Sequence, residues 1–144
     1  MSALTLAIAQ KIVADALSHA RAQKMNPLSV VVLDARGSLV AAATEDNNAM
    51  GRWQVAFGKA YGSLFMGVGS KRLGTMAADR PHFVGALANI PEGGMIPVAG
   101  GVLIRDPATN TILGVVGVSG DTSDNDEAAA STGISAAGLK ADGG

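Results

Sequence analysis

Few side chains in this sequence are equipped for chemistry, and they fall in a few places. Lys59 stands in a helical stretch between Gly58 and Gly62, and Asp121, Asp124, Asp126 and Glu127 cluster just after a glycine-rich apolar run. A lysine buried beside such a cluster binds an organic acid or moves protons in acid-base work; in solvent it is an ordinary helix lysine. Asp126 and Glu127 fit the acid and base of such a site, and equally the first turn of a helix, whose dipole favours carboxylates. Arg52 can give two parallel hydrogen bonds to a carboxylate such as a propionate. Of the two histidines, His19 belongs to a helix surface, whereas His82, between Pro81 and Phe83, is placed to act as a ligand or proton carrier.

Composition removes several classes of function. With no cysteine there are no disulfides or thiolate sites, and two separated histidines do not make a zinc centre, so no metal site of protein side chains is expected. A net charge of −1 without a basic patch argues against nucleic acid. No run reaches the roughly 18 apolar residues of a membrane span, and the first residues lack the pattern of a secretory signal. A cytoplasmic location is the expectation. The run GVVGVSG (114–120) has the wrong spacing for a dinucleotide-binding loop, and no βαβ unit follows it.

The elements that must position these residues follow from periodicity. Leu4, Ile8, Ile12, Ala16 and Ala20 recur every fourth position, which predicts an amphipathic helix over 6–23 with Thr5 as N-cap, stopped by Asn26-Pro27. Residues 29–34 and 38–43 read as a hairpin around Ala35-Arg36-Gly37. Met50, Trp53, Phe57, Tyr61 and Leu64 set a second helix over 50–65, where Gly58 and Gly62 let a helix, the sheet or a flat ligand approach. Residues 70–78 read as a short helix capped by Ser70. The stretch from Gly67 to Gly94 has the weak periodicity of binding loops.

Two nearly continuous apolar strands, 98–104 and 112–119, flank the turn at Asp106–Asn110 and belong at the centre of a sheet covered on both faces. Their glycines, Gly100 and Gly101 above all, imply a bulge or the close approach of a helix or a ligand. A last helix begins after Gly120, with Asp124 and Glu127 as its capping box. Helix, hairpin, helices, hairpin, helix describes an α+β domain with a mainly antiparallel sheet.

The segments LDARGSLVAAATEDN (33–47), FGKA (57–60), PVAGG (97–101) and GVVGVSGDTSDNDEAAASTGI (114–134) together resemble the GlcG/HbpS-like, or haem-binding-protein-like, family over nearly the whole chain. The resemblance implies a single domain over residues 1–144, with a profilin-like five-stranded antiparallel sheet flanked by helices on both faces and assembly into homo-oligomers. Some relatives bind haem and others a corrinoid, which brings haem into view as a cofactor. Lys59 matches the lysine of the family's GKA segment. His82, Met76 or Met95 offers an axial ligand to haem iron, while Val102, directly after the paired glycines, offers none.

Residues and resemblance lead to one expectation and two alternatives. The expectation is a small-molecule-binding domain for a tetrapyrrole or other planar, acid-bearing ligand, held by Arg52, Lys59, His82, Phe83, Gly100 and Gly101. The first alternative is an enzyme performing isomerisation, hydration or hydrolysis on a small organic acid with Lys59, His82, Asp126 and Glu127. The second is a protein whose task is assembly alone.

Overall fold

A computed structural model describes residues 3–144. The elements run α1 (Leu6–Ala22), β1 (Ser29–Asp34), β2 (Leu39–Thr44), α2 (Arg52–Met66), α3 (Ser70–Asp79), α4 (Pro81–Leu87), β3 (Gly101–Arg105), β4 (Ile112–Ser119), α5 (Ser123–Ala136) and β5 (Lys140–Asp142). All strands pair antiparallel in one five-stranded sheet of order β2-β1-β4-β3-β5. The fold is α+β, as expected.

Why the central strands read as continuous apolar runs is now visible. Val30, Val32, Val102, Ile104, Val116 and Val118 pack with α1 and α5, while Val31, Leu33, Leu103 and Val115 face α2. Alternate residues point to opposite faces, and both faces are covered. Each of these fully buried side chains contributes on the order of 2 kcal/mol through removal from water. Thr5 caps α1 as predicted, its hydroxyl accepting from the Ile8 N–H at 3.2 Å. Gly37 takes φ +84°, the left-handed turn position that links β1 and β2. The fifth strand has only three residues, too short for periodicity to show; the family resemblance alone implied it.

The second helix exists, but its hydrophobic pattern only flanks the buried face: Phe57, Tyr61 and Leu64 pack partly against the core, while Trp53 is half exposed. It starts at Arg52, leaving Met50 exposed before it, and its buried face is Ala56, Gly58, Lys59, Ala60, Gly62 and Ser63. The helix lies so close to the sheet that a Cβ on Gly117 would strike the Ala56 carbonyl, and one on Gly101 the Lys59 carbonyl. Only small residues fit at that distance, so the large ones lie to the side, partly buried, or on the outer surface. Gly58 and Gly62 serve close packing, but their neighbours are the side chains of Ile96 and Met95 from the segment before β3.

The stretch from Gly67 to Gly94, weak in periodicity, contains the short helix expected over 70–78 and a second helix after it. It holds α3 and α4, which share a small core of Leu73, Val84, Leu87 and Met95. Pro81 sits in the first turn of α4, where its missing N–H costs nothing. Gly69, not Ser70, is the N-cap of α3. Ser70 is drawn instead to the start of β3, where its hydroxyl accepts from the Gly101 N–H at 2.6 Å. The capping box expected at Asp124 and Glu127 is also absent: Thr122 is the N-cap of α5, accepting from the Asn125 N–H at 3.3 Å.

Candidate functional site

Lys59 projects from the sheet-facing side of α2. Its Nζ donates to the Val118 carbonyl at 3.0 Å and to Asp126 Oδ2 at 3.1 Å. Asp126 Oδ1 accepts from the Asp121 N–H at 2.9 Å. One ion pair therefore joins the middle of α2, the end of β4, the turn after it and the first turns of α5. The two side chains are 3% and 2% exposed, respectively. Burial pushes the Lys59 pKa down, the Asp126 carboxylate opposes that shift, and the nearby Arg52 charge adds to it.

Around this pair lie some of the expected site residues. Gly100 takes φ +127°, and a Cβ there would sit 2.8 Å from Lys59 Nζ; beside it, Gly101 is pressed under α2. The close approach that these glycines allow is thus made by α2 itself. Arg52 reaches Ser119 Oγ with Nη1 at 3.3 Å, and no carboxylate among the described residues pairs with it. Ser119 neighbours Ser29 across the sheet, and Ser29 Oγ contacts Thr44 Oγ1 at 2.9 Å and Asn48 Nδ2 at 3.0 Å. This polar rim ends the α2 face of the sheet beside an exposed guanidinium.

Other expected residues lie apart. His82 and Phe83 are on α4, exposed, and α4 packs against α3. The Phe83 ring is covered by the Arg80 guanidinium at 4.2 Å. Glu127 turns its half-buried carboxylate toward Gly143; burial raises its pKa, and Lys71 opposes the rise. Of the two methionines, Met95 is buried against Gly62. No group of three or more His, Cys, Asp or Glu among the described residues could hold a metal ion.

What the sequence reading missed is the row on the outer side of α2. Trp53, Phe57, Tyr61 and Phe65 recur every four residues and are four of the five aromatic residues in the chain. The spacing was plain, but it reads as a core stripe. Trp53 is 49% exposed and Phe65 45%, and Phe57 stacks on Tyr61 with ring centres 5.7 Å apart. A groove of about 410 Å³ opens between Trp53, Gln54, Phe57, Glu92 and Gly93. Another, of about 200 Å³, lies at the far end against Tyr61, Leu64, Phe65 and Gly37. Aromatic rings left half in water offer flat apolar surface to a ligand or partner.

The fold and this site define an α+β domain with a sealed ion pair at its centre and an aromatic helix face outside. The family model described as haem degrading protein HbpS-like matches residues 4–135, and the chain belongs to this HbpS-like family. A double mutant of HbpS from Streptomyces reticuli is 26% identical, with 94% of this chain and 88% of that one covered at a TM-score of 0.80. The fold is also similar to that of PduOC in its complex with haem, at 20% identity, 96% and 97% coverage and a TM-score of 0.84. The Klebsiella pneumoniae protein ORFY is likewise similar in fold, at 20% identity, 96% and 92% coverage and a TM-score of 0.83. No curated protein matches the chain. No helix among the described residues is long and apolar enough to cross a membrane.

Proposed function

We propose that this domain binds a planar, acid-bearing small molecule, haem being the leading case, on the outer side of α2. The observation that carries the reading is the aromatic row from Trp53 to Phe65, about half exposed at its two ends, with Arg52, which has no carboxylate partner among the described residues, at the same end of the helix as the Trp53–Phe57 groove. Rings of Trp53 and Phe57 would take the flat face of the ligand, and the guanidinium its acid group. Membership of a family described as haem degrading, and likeness in fold to a haem complex, support a tetrapyrrole. Lys59, Asp126, Gly100 and Gly101 act one layer below, fixing α2 on the sheet. Assembly into homo-oligomers and a cytoplasmic location complete the reading.

The acid-base alternative loses its main support. Lys59 and Asp126 bond to each other and to backbone groups, and at 3% and 2% exposure neither reaches a substrate.

Haemin titration followed by the Soret band tests the proposal. Saturable binding with one haem per chain is expected, and Trp53→Ala and Arg52→Gln should each weaken it about tenfold, near 1.4 kcal/mol. His82→Ala should leave it unchanged. Absence of saturable binding overturns the haem reading; normal affinity in Trp53→Ala overturns its placement on α2.

A further inference from the structure

The groove of about 200 Å³ at the far end of α2 lies where the last turns of the helix meet the turn between β1 and β2. Ala35, Arg36 and Gly37 form one wall, and Tyr61, Leu64 and Phe65 form the other. Phe65 is about 18 Å along the helix from Trp53, and the Phe57–Tyr61 stack stands between this groove and the one at Trp53. The two grooves share no residue.

The turn that makes the first wall is held from within. Gly37 N donates to the Asp34 carbonyl at 3.0 Å, and Asp34 N to the Ser38 carbonyl at 2.9 Å. Asp34 Oδ1 accepts from the Arg36 N–H at 2.9 Å and the Ser38 N–H at 3.0 Å, so this carboxylate is engaged by the backbone of its own turn. Arg36 gives it one side-chain bond, Nη2 to Oδ2 at 3.3 Å. That side chain is 84% exposed, and its other N–H donors have no partner among the described residues. So exposed a contact holds the guanidinium weakly. Gly37 keeps the groove open, since a Cβ there would lie 3.3 Å from the Tyr61 ring.

We propose that this groove is a second binding site, for a single-ring aromatic carboxylate of the benzoate class, with its acid on the Arg36 guanidinium and its ring on Phe65 and Tyr61. Size supports that class: a cavity of about 150 Å³ takes one benzene, so this one matches a ring with its carboxylate and not a macrocycle. Charge supports it too. No acidic residue among those described lines this groove, whereas Glu92 lines the one at Trp53. Phe65, 45% exposed, presents a flat apolar face, and a guanidinium takes a carboxylate through two parallel N–H bonds. The site does not depend on haem binding at the other groove.

Titration of the isotope-labelled whole chain with benzoate, at neutral pH and constant ionic strength, tests this through the amide NMR shifts. Saturable shifts at residues 35–37 and 61–65, with one benzoate per chain, are the expected result. Benzamide, which keeps the ring and removes the charge, should bind about tenfold more weakly or worse. Benzoate should lose about tenfold in affinity for Arg36→Gln and for Phe65→Ala. Both side chains are exposed, and the same spectra report whether each variant keeps the parent fold. Shifts that do not saturate, shifts centred on residues 52–57 and 92–93, equal affinity for benzamide, or full affinity in a folded variant overturns the proposal. Failure of the haemin titration removes the tetrapyrrole and leaves this site standing.

Discussion

Lys59 Nζ and Asp126 Oδ2 stand 3.1 Å apart although 67 residues separate them in sequence, and water reaches neither side chain. A buried pair of this kind adds little net stability over an apolar pair of similar shape, but removal of one member leaves a charge with no partner. Lys59→Met should therefore destabilise by about 3–5 kcal/mol in urea unfolding. The double variant Lys59→Met, Asp126→Asn should recover a large part of that loss, since the amide oxygen can still accept from the Asp121 N–H. Equal losses in the single and double variants would show that the two residues act independently.

Glycines under α2 give a second prediction. At Gly101 a side chain would push against the Lys59 carbonyl and the Ser63 hydroxyl, so Gly101→Val should cost about 3 kcal/mol or more, or prevent folding. Gly85 is the comparison, helical and with open space where its Cβ would be. Gly85→Ala should raise stability by up to ~1 kcal/mol. Thermal unfolding of the two variants reads both signs at once.

The strands and α1 were legible because their apolar residues follow the geometry of the element. Val30 to Leu33 are buried whichever face they meet, and the Leu4 to Ala20 stripe lies on the core side of α1. Helix α2 defeated the same logic. Its largest apolar residues are displaced from the centre of the buried face, Phe57 and Tyr61 to its margin and Trp53 and Phe65 into solvent, because Gly101 and Gly117 draw its backbone onto the sheet, a constraint carried by residues some 40 to 60 positions away. Lys59 could be singled out by its type and its glycine neighbours, but its burial depended on the same contact. His82 looked like a loop residue because Pro81 interrupts the pattern, whereas a proline at a helix start is compatible with α4.

Which residue caps α5 is a third point of test. Thr122→Ala removes the acceptor for the Asn125 N–H and should cost about 1 kcal/mol. Asp124 lies in the first turn, where it only complements the dipole, so Asp124→Ala should cost about half as much or less. The opposite order in chemical denaturation would restore Asp124 as the cap.

Two acidic residues near the start of α5 should respond to pH with opposite signs. Hydrogen bonds from the Asn125 side chain and from the Asn26 and Thr122 backbone hold the Asp121 carboxyl below the usual aspartate range. A group whose folded pKa is depressed contributes stability above its unfolded pKa, and that contribution is lost as pH falls through the folded value. Glu127 is the reverse: burial lifts its carboxyl above the usual range against the pull of Lys71. Its contribution is present below the unfolded pKa and is lost as pH rises through the folded one. Asp121→Asn should therefore be less stable than the parent at pH 7, with the gap closing below about pH 4. Glu127→Gln should be the more stable of the pair at pH 7, and its advantage over the parent should shrink on acidification toward pH 4. Unfolding midpoints between pH 2.5 and 7, against the parent at each pH, decide the matter. Parallel curves for both variants would mean that neither carboxyl is perturbed by its surroundings.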